Sequence, residues 1–193
     1  GSPPALRGPL VEVQVEGTDT FADVVRTVVA ARRGTPAERI DLEAERNRVY
    51  ALGTFAEVTV TLEDRGAGPV LVVRVRENPP ISSVEVVGAE LLDADQLRSA
   101  IIAEHLLDPG RTLNVLRADE AIATLQAIHR SIGVPYDVGV TLDVVPDPDV
   151  ERVNGRTPVR LVYTIDERAA LRRVTFDEST VLDESELNDI FLR

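Results

Sequence analysis

The sequence predicts an α+β fold, a tandem array of βααββ modules, each a three-stranded mixed sheet with two helices on one face. Three observations lead there. One strand pattern recurs along the chain, and a second pattern follows it in the same order each time. Between the two lie stretches whose apolar residues fall at helical spacing.

The first pattern opens at Val11-Glu12-Val13-Gln14-Val15-Glu16-Gly17, an alternation closed by glycine. Such alternation fits a strand with one buried face. It returns as Ile81-Ser82-Ser83-Val84-Glu85-Val86-Val87-Gly88, and again as Leu171-Arg172-Arg173-Val174-Thr175-Phe176-Asp177. Behind the second copy, Leu92-Asp93-Ala94-Asp95-Gln96-Leu97 matches Leu182-Asp183-Glu184-Ser185-Glu186-Leu187 without a gap. Asp93 reads as a helix N-cap with Gln96 three residues on, followed by Leu97, Ala100, Ile101 and His105 at helical spacing. A second helix is predicted over about Arg117 to Ile132, on the stripe Ala121, Ile122, Leu125, Ile128 and Ile132.

The second pattern is Tyr50-Ala51-Leu52-Gly53-Thr54-Phe55-Ala56-Glu57-Val58-Thr59-Val60, matched by Arg130 to Val140 around Gly133. Gly53 and Gly133 are predicted to close their helices in the left-handed conformation. A β-branched strand follows each, Val70 to Glu77 and Val159 to Glu167. The stretch Val145 to Thr157, with Pro146, Pro148, Asn154 and Gly155, breaks the last two strands into a long hairpin. The offset between equivalent positions grows from 71 at Gly17/Gly88 to 80 at Gly53/Gly133 and 90 at Glu77/Glu167, as insertions in connecting loops would produce. The expected units are therefore 10–78, 79–168 and a truncated start of a third at 169–193, with Pro79-Pro80 stiffening the first junction.

Composition narrows the function. An apolar fraction of 44% suffices for packed cores, and with only 4% aromatics the aliphatic residues must fill them. The net charge of −12 argues against a phosphate backbone as ligand and against docking on an anionic membrane surface. No apolar run approaches the ~20 residues a membrane-spanning helix needs. Cysteine is absent, which removes disulfides, thiolate catalysis and zinc–cysteine sites.

Candidate chemistry is sparse. His105 and His129 lie on different predicted helices and lack a metal-binding spacing. Asp147-Pro148-Asp149-Val150-Glu151 has Arg152 where a calcium loop needs glycine. Acid pairs such as Asp93/Asp95 and Asp183/Glu184 sit where helix starts favour carboxylates. No nucleophile elbow, phosphate loop, dinucleotide motif or Gly-x-x-Gly nucleic-acid loop occurs, so neither catalysis, cofactor nor metal is expected.

The run Tyr50 to Val60, preceded by Gly34 and followed by Val75-Arg76-Glu77-Asn78-Pro79-Pro80-Ile81, resembles a POTRA domain. Ile81-x-x-Val84-x-Val86-x-Gly88 resembles the start of the next one, and the likeness extends over nearly the whole chain from Val11. Tandem domains of this kind are typical of the Omp85 superfamily. Unit two departs in having Gly133-Val134-Pro135-Tyr136, one residue longer, and Arg130 in place of Tyr50.

The resemblance implies a soluble periplasmic arm of an outer-membrane assembly protein, reaching the membrane only through a C-terminal barrel beyond this chain. Its partners would be unfolded β-barrel precursors and accessory periplasmic or lipoprotein subunits. A two-partner secretion transporter or a translocation and assembly module is the alternative, with a division-type protein further off. In the family the first strand of the final hairpin lies at a sheet edge, where an extended client can add by backbone hydrogen bonds. The edges would be Ala56–Leu62 and Asp137–Val144, with Glu57, Val58, Thr59, Val60 and Thr61 in one and Asp137, Val138, Gly139, Val140 and Thr141 in the other. Val58, Val60, Val138 and Val140 also read as core packing residues. Gly17, Gly53, Gly88 and Gly133 would be structural turns and caps.

Overall fold

The computed structural model describes residues 6–134 and 138–168. Within them the chain runs β1 (Glu12–Glu16), α1 (Ala22–Val28), α2 (Leu42–Tyr50), β2 (Phe55–Asp64), β3 (Pro69–Glu77), β4 (Ile81–Val87), α3 (Ala94–His105), α4 (Val115–Ser131), β5 (Gly139–Pro146) and β6 (Val159–Asp166). The strands form two three-stranded sheets, ordered β1-β3-β2 and β4-β6-β5. Both are mixed: the first strand pairs parallel with the last, and the middle strand pairs antiparallel with it. A parallel pair needs a long crossover, which the two helices of each unit supply.

Each sheet has its own core. In the first, Val58, Val60, Leu71, Val73 and Val75 pack with Val25, Val29 and Val49 of the helical layer. In the second, Val84, Val86, Leu161, Tyr163 and Ile165 pack with Leu97, Ile101, Ala121 and Leu125. Side chains on a regular strand alternate in face, yet Phe55 and Val58 are both in the core, three residues apart. A register shift between Phe55 and Glu57 reconciles them, and another between Ile81 and Ser83 does so for Ile81 and Val84. Tyr163 spans its module from β6 to α4, where its hydroxyl donates to the Ala118 carbonyl at 2.7 Å. Burial, and secondarily the charge of Asp119, hold that phenol well above the usual tyrosine range.

Several elements differ from the sequence expectation. Helix α4 starts at Val115, not near Arg117, because the Asn114 side chain accepts from the amides of Leu116 and Arg117 at 3.1 and 3.2 Å. The second edge strand starts at Gly139, so Val138 precedes it, while Asp137 lies outside the described residues. The expected third unit, 169–193, also lies outside them. Gly133 directly follows the C-cap Ile132 with φ +90°, whereas Gly53, at φ +76°, stands two residues beyond the C-cap Ala51. Asp93 caps α3 as expected, accepting from Gln96 N at 2.9 Å.

Gly17 and Gly88 hold equivalent places. Each follows the first strand of its module with positive φ, and each passes close to the backbone of the central strand. A Cβ on Gly17 would stand 2.0 Å from the Val75 carbonyl oxygen, and one on Gly88 would stand 2.3 Å from that of Ile165. Only glycine fits there.

Candidate functional site

In both modules the first strand of the final hairpin, β2 or β5, lies at an edge of its sheet. In β2 the side chains of Val58 and Val60 are buried in the core, and Glu57 and Thr59 are exposed, with Thr61 between the two extremes. In the second module Val138 is buried ahead of the strand and Val140 is partly buried against the core, while Thr141 is exposed. Gln126 on α4 donates to the Val138 carbonyl at 3.1 Å, fixing the approach to the edge. The side chains thus anchor each strand from one face, and the backbone edge away from the central strand has no partner strand among the described residues.

The outer face of the first sheet carries an ion-pair network across all three strands. Arg65 pairs with Glu16 at 2.9 Å and Glu63 at 3.0 Å, and Arg74 pairs with the same two at 2.8 and 2.7 Å. Arg76 pairs with Glu57 at 2.7 Å, while Gln14 bonds to Arg65 and to Glu12. Val72 sits on that face between its register partners Gln14 and Thr61, yet it is fully buried. The aliphatic stems of the paired arginines and glutamates account for its cover. Hydrogen bonds from Arg65 to Glu16, Arg76 to Glu57 and Arg74 to Glu63 hold these carboxyls below the usual glutamate range.

The two sheets meet at a joint built from backbone and amide side chains. Asn78, buried between Glu77 and Pro79, donates to the carbonyls of Gly53 and Leu113, both at 3.0 Å, and its amide donates to Thr54 O at 2.8 Å. Asn114 caps α4 with its oxygen and donates with its nitrogen to Leu52 O at 3.0 Å. The Val115 amide adds a bond to Gly53 O at 2.9 Å. From the β5–β6 hairpin, Arg156 donates to Asn78 O at 2.6 Å and pairs with Glu77 at 3.1 Å. Glu77 in turn accepts from Thr18 at 2.6 Å.

The repeat-equivalent acid, Glu167, stays inside its module. It accepts from the amides of Glu90 and Leu91 and meets His129 Nε2 at 3.1 Å. His129 is fully buried, with Nδ1 2.8 Å from Leu125 O. A carbonyl can only accept, so the Nδ1 contact is a donation from the ring N–H to Leu125 O. The other histidine, His105, bonds Thr124 at 2.8 Å. Asn78 and Glu77 stand in the run that resembles the family without a role of their own, and Asn114 and Arg156 carry no expectation from the sequence. An asparagine ahead of Pro79-Pro80 was the available signal for the first.

Comparison with known proteins places this geometry. No family model matches the chain. It is 27% identical over 184 residues to the outer membrane protein assembly factor BamA of Nitratidesulfovibrio vulgaris, across 94% of this chain and 22% of that protein. The chain thus spans about a fifth of that relative's length. It is also 28% identical over 183 residues to a 2-phospho-L-lactate guanylyltransferase of Halobacterium salinarum, across 87% of this chain and 85% of that enzyme. The solved N-terminal domain of Omp85 from Thermosynechococcus elongatus superposes with a TM-score of 0.61 at 25% identity, over 83% of this chain and 63% of that one. POTRA domains 1 and 2 of Omp85 from Anabaena superpose with a TM-score of 0.53 at 22% identity, over 81% and 94%. Both superpositions are with Omp85 domains and cover more than four fifths of this chain.

Proposed function

We propose, starting from modules that are POTRA domains of the Omp85 superfamily, that this chain is part of the periplasmic arm of an outer-membrane protein assembly factor, binding clients and not catalysing a reaction. Its clients would be unfolded β-barrel precursors, added as strands to β2 and β5, with accessory periplasmic subunits scaffolded on the same arm. The unit boundaries at 10–78 and 79–168 belong to this reading.

The observation that carries it is the repeated edge. Two modules with different surface residues leave the same strand of the same hairpin at the rim of the sheet. A backbone edge is indifferent to client sequence, which suits a receptor for many precursors that share only the habit of forming strands. Binding to one edge should be weak. Ordering a strand costs about 1–2 kcal/mol per residue, whereas each hydrogen bond returns a net of about 0.5–1.5 kcal/mol. Micromolar to millimolar constants follow, with avidity along the array compensating.

NMR titration of the chain with an extended peptide from a barrel strand tests this. Shifts should concentrate on Glu57–Thr61 and Val138–Thr141. Proline placed in β2 where an N–H points away from β3 should abolish those on β2 while the sheet stays folded. Shifts confined to the helices, or binding indifferent to the proline, would rule out strand addition.

A further inference from the structure

A groove of ≈ 620 Å³ opens where the helical layer of the first module meets α3 and α4 of the second, touching β2 only at its start, Phe55, and clear of Glu57–Thr61. Its floor holds Phe21 and Phe55, whose rings meet edge-to-face at a centroid distance of 6.0 Å. Val24 and Leu106 line it too, and they are 46% and 41% exposed, so neither is spent on a core.

Leu106 is unusual in a second respect. It ends α3 in the left-handed conformation, φ 54° and ψ 49°, where glycine is the common residue. The bend is used by the next residue, Leu107, which is buried and bonds back to Ile102 O. The leucine side chain at 106 adds strain without adding to either core, so its apolar surface must serve the groove.

Charge points the same way. The chain carries 33 acidic residues, yet none lines this groove, while Arg111 and Arg117 do. Arg111 shares its charge with Asp108 at 3.1 Å. The Arg117 guanidinium is exposed and has no partner among the described residues. An uncommitted cation beside an apolar trough fits a ligand that brings apolar side chains and a carboxylate together.

We infer that this groove docks a short amphipathic segment of a partner protein, its leucine-like side chains seated between Val24 and Leu106 and its carboxylates on Arg117 and Arg111. The site exists only when both modules are present, since each supplies one wall. The contacts of Asn78, Asn114 and Arg156 keep the walls together. It is independent of strand addition and could stand if that reading fell.

The test uses the whole chain and a fluorescein-labelled peptide of leucines and glutamates, beside a control with lysine for each glutamate. Two variants suit the fold: Leu106→Gly relieves the strained position, and Arg117→Glu puts an acid in the first turn of α4, where it is favoured. Anisotropy should show the glutamate peptide binding, with amide shifts at Phe21, Val24 and Leu106. Leu106→Gly should weaken it roughly tenfold, as loss of one buried leucine contact implies. Arg117→Glu should weaken it as well and reverse the preference toward the lysine peptide. Absence of binding, affinity unchanged in both variants, or shifts confined to β2 and β5 would overturn the assignment. So would a dimer in sedimentation velocity that Leu106→Gly disperses, for the occupant would then be a second copy.

Discussion

The two modules share a topology and diverge wherever a residue does something other than close a core. Gly17 and Gly88 meet the central strand in the same way. The acids that end the central strands do not match: Glu77 reaches across to Arg156, while Glu167 turns inward to His129. Gly53 lies under Asn114 and Leu116 of the next module, whereas among the described residues nothing stands within 4 Å of a Cβ on Gly133. The outer face of the first sheet is laced by Arg65, Arg74 and Arg76, and in the second, among the described residues, Arg160 and Glu85 approach at 3.6 Å. Fold therefore resides in what repeats, and the joint and surfaces reside in what does not.

The strongest way to break this comparison is to attack the shared feature. Gly17→Ala and Gly88→Ala should each cost about 3 kcal/mol or more, combining the positive φ with a carbonyl that cannot move aside. The loss should be modular. Hydrogen exchange should find the amides of β1–β3 exposed in the first variant and those of β4–β6 in the second. If either is tolerated, the two turns are not equivalent and the repeat is weaker than its topology suggests.

A smaller and asymmetric effect is expected at the capping glycines. Among the described residues nothing crowds a Cβ at position 133, so Gly133→Ala should bear mainly its backbone cost, about 1–2 kcal/mol. Gly53→Ala bears the same cost and in addition pushes against Asn114 Oδ1 at 2.7 Å and Leu116 Cγ at 2.9 Å. It should loosen the joint, changing the residual dipolar couplings of one module relative to the other, which Gly133→Ala should leave alone. Identical couplings in both variants would mean that the joint does not depend on Gly53.

How much of this was legible in the sequence follows from the range of each interaction. Alternation and capping are local, so the strand at Val11–Gly17, the cap at Asp93 and the glycines were readable. The register shifts near Phe55 and Ile81 left only a three-residue step in the apolar pattern, visible in Ile81-x-x-Val84 but not interpretable without a partner strand. Of the joint, only Asn78 ahead of Pro79-Pro80 left a signal. Arg156 bonds a carbonyl 78 residues away, and nothing around Arg156 distinguishes it from any other loop arginine. Glu45, which is buried and takes the amides of Ala30 and Ala31, looks in sequence like one more charge on a helix of mixed charges. The groove escaped for a similar reason, since Phe21, Val24 and Leu106 come from separate stretches of the sequence and nothing local links them.

The smallest expected effect distinguishes the outer faces. Glu16, Glu57 and Glu63 are held below the ordinary glutamate value of 4.5 by arginine hydrogen bonds in the folded chain. A carboxyl depressed by folding stabilises the folded state above its unfolded value, and that contribution fades as pH falls through the folded one. Glu57 is exposed and Glu16 and Glu63 are partly so, so salt should screen the effect. Carboxyl NMR titrations should give midpoints below 4.5 for all three, rising toward it in high salt. Glu63→Gln should leave Arg74 and Arg65 with Glu16 alone, make Val72 more accessible to solvent and shift the acid unfolding of the first module. The second module's sheet, with its long Arg160–Glu85 approach, should show no corresponding change. Were Glu63 to titrate at its ordinary value while Val72 stayed protected, the cover over that strand would be aliphatic packing alone, and the contrast between the two outer faces would lose its electrostatic half.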